Sequence, residues 1–201
     1  MLHANTTPAA AIAATRRAVG LPRHVRLRNG VQAQIRAVRS DDAKRFGRGL
    51  GARSPATLVD LVSVDRVRQV AFVATLSLNH DEELIGEARY DVSADGDFAG
   101  LTLFVADVWQ GQGLADQLLD HLLGAARDAG LRRLVCEVPI SNRRMIRFMQ
   151  CMGFVVCAQR ADRPVLRMEH GVASRMPQAP VARPVDVLRR WLNNQLFLFG
   201  F

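Results

Sequence analysis

The sequence predicts an α+β domain, a mixed and mostly antiparallel sheet flanked by helices. Three observations carry that reading. Short strand-like runs, VRQVAFVATLSL, ELIGEARYDV and FAGLTLFVAD, are separated by the turn-rich stretches NHDEE and SADGD. The period then becomes helical, with Leu114, Leu118, Leu119, Leu122, Leu123 and Ala126 on one stripe. Between the two lies VADVWQGQGLA, residues 105–115, where a strand runs into a glycine pair and then a helix.

Residues 1–24 have little pattern and read as a loose leader. The alternation VQAQIRAVR from Val31 predicts the first strand, and Ser40 stands as a helix cap before DDAKRFGRGL. GARSP at 51–55 reads as a turn, with Pro55 opening a short helix through ATLVDLV. The three antiparallel strands follow, and the helix after the glycine pair closes at Gly130. LRRLVCEV at 131–138 reads as a buried strand. Ser141 is placed to cap a helix, NRRMIRFMQCM, that Gly153 ends. FVVCAQ and PVLRMEH form a last hairpin turning through 161–163. The domain is therefore expected over 25–172, followed by a proline-rich linker, 173–185, and an apolar element, 186–201. The tail DVLRRWLNNQLFLFGF would expose many apolar groups if free. It is expected to dock on the domain or on a second copy, which admits a homodimer.

Composition narrows the function classes. At 201 residues, 49% hydrophobic and 23% charged, the chain holds one folded domain rather than a disordered one. No apolar run reaches the roughly 18–20 residues of a membrane span, and the start lacks a basic leader with an apolar core. A cytoplasmic location with no membrane partner is expected. The three cysteines, Cys136, Cys151 and Cys157, have no CxxC spacing, so neither a disulfide framework nor a metal site is expected. The net charge of +8 invites a nucleic-acid reading. However, Lys44 is the only lysine, and the arginines are scattered rather than gathered on a basic helix. Nucleic acid is not the expected partner.

The glycine pair fails two familiar phosphate motifs. A dinucleotide GxGxxG needs a third small residue, whereas Asp116 stands there, and a Walker loop needs GK[ST]. The physics of the turn is still that of an anion seat. Glycines turn the backbone so that N–H groups face one concavity, and the helix start adds unpaired N–H groups and a positive dipole end. On the glycines alone, that seat and a plain strand-to-helix turn are both open.

Gln110-x-x-Gly113-x-Ala115 resembles the acetyl-CoA signature of the GNAT family of N-acetyltransferases, Arg/Gln-x-x-Gly-x-Gly/Ala. The element order agrees over 31–169, as do Ile35 to Ala43 at the first strand and helix and Asn142 through Phe154 near the end. VADVWQGQGLADQLLDHLL is most similar to the acetyltransferase domain of bacterial protein lysine acetyltransferases. The resemblance implies a splay between the fourth and fifth strands, 101–105 and 134–138, with acetyl-CoA as co-substrate. Its pyrophosphate would sit on the backbone of Gln110, Gly111, Gln112, Gly113, Leu114 and Ala115. The pantetheine arm would run along Leu103, Phe104 and Val105, the thioester carbonyl accepting an N–H near Val105. Asn142 and Phe148 would touch the arm. From the residues alone, Asn142 is equally a helix-start residue, and Phe148 a core residue.

The resemblance leaves the proton chemistry open. Ala99-Gly100-Leu101 stands where the protein-acetylating relatives carry a glutamate, and Met149 where many members carry a tyrosine acid. The single tyrosine, Tyr90, is on another strand. Glu137 and Glu87 are the central-strand candidates for a base. A water held by Thr102 could serve instead. Cys136 reads as a small core residue, His121 as a helix surface or packing residue, and Trp109 as packing at the turn or shielding the cofactor. The expected activity is acetyl transfer from acetyl-CoA to a primary amine, a protein lysine, by direct attack. A small-molecule amine acetyltransferase and a non-catalytic acyl-CoA-binding regulator are the alternatives.

Overall fold

The computed structural model describes residues 22–42, 68–78, 81–96, 98–159 and 162–172. The expected second helix, the linker and the apolar tail lie outside the described residues, as does the helix after Ser40 beyond its first turn. The elements run β1 (Arg23–Arg26), β2 (Gln32–Ala37), a 3-10 turn (Ser40–Asp42), β3 (Gln69–Leu78), β4 (Asp81–Val92) and β5 (Ala99–Val105). A second 3-10 turn (Asp107–Trp109) leads into α1 (Leu114–Asp128), then β6 (Arg133–Pro139), α2 (Arg143–Cys151), β7 (Val155–Gln159) and β8 (Val165–Gly171). The described strands form one sheet in the order β1-β2-β3-β4-β5-β6-β8-β7. Only the β5–β6 pair is parallel. This is the predicted α+β class with one crossover, made by α1.

One strand was not foreseen. β1, RHVR, starts inside the stretch read as leader and pairs with β2 as a hairpin, Val25 opposite Ala33. With it counted, the splay expected between the fourth and fifth strands falls between β5 and β6.

The apolar stripe of α1 packs on one face of the sheet. Leu114, Leu118, Leu119, Leu122 and Leu123 are buried there with Ile85, Ala88, Tyr90, Leu101 and Val105. Contact is close enough to require glycine at one place. A Cβ on Gly86 would lie 2.9 Å from Leu118 Cδ1 and 3.1 Å from the Phe104 carbonyl oxygen. The register of β3 against β4 slips at this level, so that Ile85 is an extra residue of β4. The bulge lets Ile85 face α1 while Leu84 packs on the other face with Val73 and Ala106.

That other face carries a buried ion cluster. Arg36 on β2 is 2% exposed and grips Asp42, 0% exposed, through two bonds of 2.7 Å. A third, of 2.6 Å, goes to Glu82 on β4. The Arg39 N–H also donates to Asp42, at 2.7 Å. The turn after β2 is thus fixed to two strands, and Asp42 acts as its anchor.

Candidate functional site

The site begins where β5 and β6 part. They pair only at Ala99–Leu134 and Gly100–Val135. Beyond that point β5 stays bound to β4 through Val105, and β6 to β8 through Pro139, so the inner edges diverge. The Ala106 N–H donates to Ile85 O at 3.0 Å. By the alternation of an antiparallel ladder, Phe104 and Thr102 therefore also direct their main-chain groups at β4. Leu103 and Val105 direct theirs into the opening. This is the expected splay.

At its upper end lies the glycine turn. Gly111 and Gly113 have φ of 75° and 80°, a region costly for residues with a Cβ. Gly113 is the N-cap of α1 and brings no side-chain cap, which leaves first-turn N–H groups of the helix to other partners. Gln110 braces the turn from within. Its Nε2 donates to Val105 O at 3.2 Å and to Asp107 Oδ1 at 2.8 Å, while its Oε1 accepts from Arg144 Nη1 at 3.2 Å. Trp109, half-buried, packs against the core on both faces of the sheet.

Two clefts meet at the opening. The first, about 300 Å³, is lined by Leu103, Val105, Gln110, Gly111, Gly113 and Ala115. Asn142 and Phe148 close it from α2, and Arg28, Trp109, Asp116, Arg144 and Met145 complete it. Three candidates for the cofactor set are absent from this lining. Phe104 faces the opposite side of the sheet, against the Val73 cluster. Leu114 is 1% exposed and belongs to the core. Gln112 offers its carbonyl to the Arg28 N–H at 3.1 Å. At α2, the cap is Asn142 rather than Ser141: its Oδ1 accepts from the Met145 N–H at 3.1 Å. Asn142 is thus the helix-start residue and also lines the cleft.

The second cleft, about 240 Å³, opens between the same strands and shares Leu103, Asn142 and Met145 with the first. Thr102 and the exposed Glu137 line it. Glu87 does not reach either lining. It is 1% exposed on β4, opposite Phe104, with Oε1 3.9 Å from Arg89 Nε. Met149 lines the second cleft, and Tyr90 is fully buried in the core on the α1 face. Cys136, 8% exposed on β6, borders the second cleft, and burial, with a smaller contribution from Cys157, pushes its thiol up to about 12, which disfavours the thiolate an acyl relay needs. His121 packs edge-on against Phe72, and burial lowers its pKa further below neutrality. Among the described residues no cluster of His, Cys, Asp or Glu could hold a metal ion, and no helix is long and apolar enough to cross a membrane.

The model of the acetyltransferase (GNAT) family matches residues 44–154, more than half of the chain. The chain belongs to the GNAT family. An acetyltransferase of Pseudomonas aeruginosa is 32% identical over 120 residues, 58% of this chain and 64% of that protein's length. The chain therefore spans somewhat under two thirds of that relative. Among solved structures, the GNAT domain of S. lividans PAT aligns with a TM-score of 0.65 at 28% identity, over 75% of this chain and 96% of that one. A spermidine/spermine N-acetyltransferase from Vibrio cholerae aligns at 0.54 with 19% identity, over 70% of this chain and 95% of that one, a likeness of fold. GNAT proteins generally draw their acetyl group from acetyl-CoA.

Arg28 and Arg144 were missed from the sequence. Arg28 sits in the β1–β2 turn, 83 residues from the Gly111 carbonyl it approaches. No local pattern ties the two. Arg144 was within reach, since it follows a recognisable helix start and is cationic where a helix N-terminus favours acids.

Proposed function

We propose that this GNAT protein transfers the acetyl group of acetyl-CoA to the side-chain amine of a protein lysine. The observation that carries the reading is the meeting of the two clefts at the opening between β5 and β6. The glycine turn gives one cleft an anion seat, while Glu137 gives the other a carboxylate. Acetyl-CoA supplies the acyl group as a thioester. Its diphosphate suits the backbone N–H groups of the Gly111–Gly113 turn, where a Cβ would be strained, and its arm suits the gap lined by Leu103, Val105 and Phe148. The inward N–H groups of Leu103 and Val105 are positioned to hold the thioester carbonyl and to stabilise negative charge on its oxygen as an amine attacks. The C–N bond forms, the C–S bond breaks, and CoA leaves as its thiolate.

The attacking amine must lose a proton. Glu137 is the base in this reading, directly or through one water, because it lines the acceptor cleft while Glu87 is buried away from it. The charge around the acceptor cleft supports a protein lysine over a polyamine. A polyamine carries several ammonium groups, whereas the described lining offers one carboxylate, and a chain of net charge +8 repels polycations. A single lysine side chain matches one carboxylate.

Thiol release measured with lysine-bearing proteins, free amino acids and spermidine tests the reading. Release is expected with the proteins, and Glu137→Gln lowers kcat about 100-fold while Glu87→Gln keeps turnover. Acetyl-CoA binding without release across the panel would favour a non-catalytic regulator. Faster release with spermidine would sink the lysine assignment.

A further inference from the structure

The cleft carries a feature that the backbone seat does not need. Two guanidinium groups stand beside the glycine turn, delivered by elements distant in sequence. Arg144 Nη2 lies 3.6 Å from the Cβ position of Gly111, and Arg28 Nε lies 3.6 Å from that of Gly113. The Arg28 backbone is fixed to the turn by its N–H bond to Gln112 O, 3.1 Å, and its Nη1 approaches Gly111 O at 3.4 Å. The counter-charge nearby is slight. Arg28 reaches Asp116 only at 3.9 Å, with both side chains well exposed, and Arg144 bonds a neutral amide. Arg143 and Arg144 also occupy the first turn of α2, which has no acidic residue there. Cations at a helix N-terminus oppose its dipole. A helix that accepts this cost next to a cleft has a local rule broken at a site of use.

We propose that Arg28 and Arg144 form a clamp that closes on the diphosphate of the acyl-CoA, making the β1–β2 hairpin part of the substrate site. The inference rests on the acetyl-CoA reading and adds to it a selectivity. Ligands carrying the diphosphate bind through two guanidinium contacts as well as the amide seat, and ligands ending at pantetheine lose both.

The test uses the full chain and three probes: acetyl-CoA, acetyl-dephospho-CoA and S-acetylpantetheine. Binding is followed by backbone amide shifts, which register millimolar affinities. Arg28→Ala and Arg144→Ala each weaken the two diphosphate ligands roughly 10-fold or more, the range of a lost hydrogen bond to a charged group. Acetylpantetheine affinity stays at the wild-type value, and Arg28→Lys recovers part of the loss. Equal weakening of all three ligands would overturn the clamp in favour of a packing role. A loss confined to acetyl-CoA would overturn it in favour of the 3′-phosphate. A wild-type chain that binds none of the three overturns the acetyl-CoA reading itself, and the clamp with it.

Discussion

Gly113→Glu abolishes acetyl-CoA binding, measured by calorimetry, while the protein stays folded. Three effects act at one position. The φ of 80° costs a residue with a Cβ about 1–2 kcal/mol. The new carboxylate emerges where the Cβ lies 3.6 Å from both Arg28 Nε and Asp116 Oδ2, so it takes up one cation and adds to the negative charge of Asp116. It also fills the space an anion would need, with the wrong sign. Gly113→Ala isolates the first effect and is expected to bind measurably, though more weakly. Full binding by Gly113→Glu would mean that the turn holds no anion.

Asp42→Ala destabilises the fold by about 3 kcal/mol, the lower end for removing one partner of a buried ion pair, because Glu82 still faces Arg36. The melting temperature falls by roughly 6–12 °C. Burial raises the Asp42 pKa, but the hydrogen bonds from Arg36 and the Arg39 N–H outweigh it, and the net shift is downward. The sign of the pH dependence follows. Below the usual carboxylate range, about pH 4, the unfolded chain binds a proton that folded Asp42 resists. The contribution is thus fully present above that range and is lost as pH falls through the depressed folded value. The gap between wild type and Asp42→Ala should be constant from pH 6 to 8 and shrink in acid. A gap unchanged at acid pH would remove Asp42 from the pair.

Local chemistry was the legible part of this sequence. The glycine turn, α1 and the three antiparallel strands are set by residues adjacent in the chain and stand where the sequence puts them, except that β4 begins at Asp81, inside the stretch NHDEE read as a turn. β1 escaped because RHVR buries only Val25, too little for a period to register. The cap of α2 was legible only to within one residue, because Ser141 and Asn142 are both cap formers, and backbone direction at Asn142 decides between them. Glu87 and Glu137 look alike as strand carboxylates. What separates them is tertiary placement: Glu87 is buried on β4 opposite Phe104, with Arg89 of its own strand beside it, while the parting of β5 and β6 opens a cleft at Glu137. Arg28 depends wholly on tertiary contact. Its place in the site exists only because the hairpin folds against the glycine turn.

The central claim is that acetyl-CoA lies across the opening with its diphosphate at the glycine turn and its carbonyl at Val105. Amide spectra recorded during titration with acetyl-CoA and then with free CoA test it most directly. Gly111 and Gly113 should shift and saturate together with both ligands, while Leu103 and Val105 respond to acetyl-CoA far more than to CoA, which lacks the carbonyl. Saturable shifts confined to residues outside the two clefts, or none at all, would contradict it.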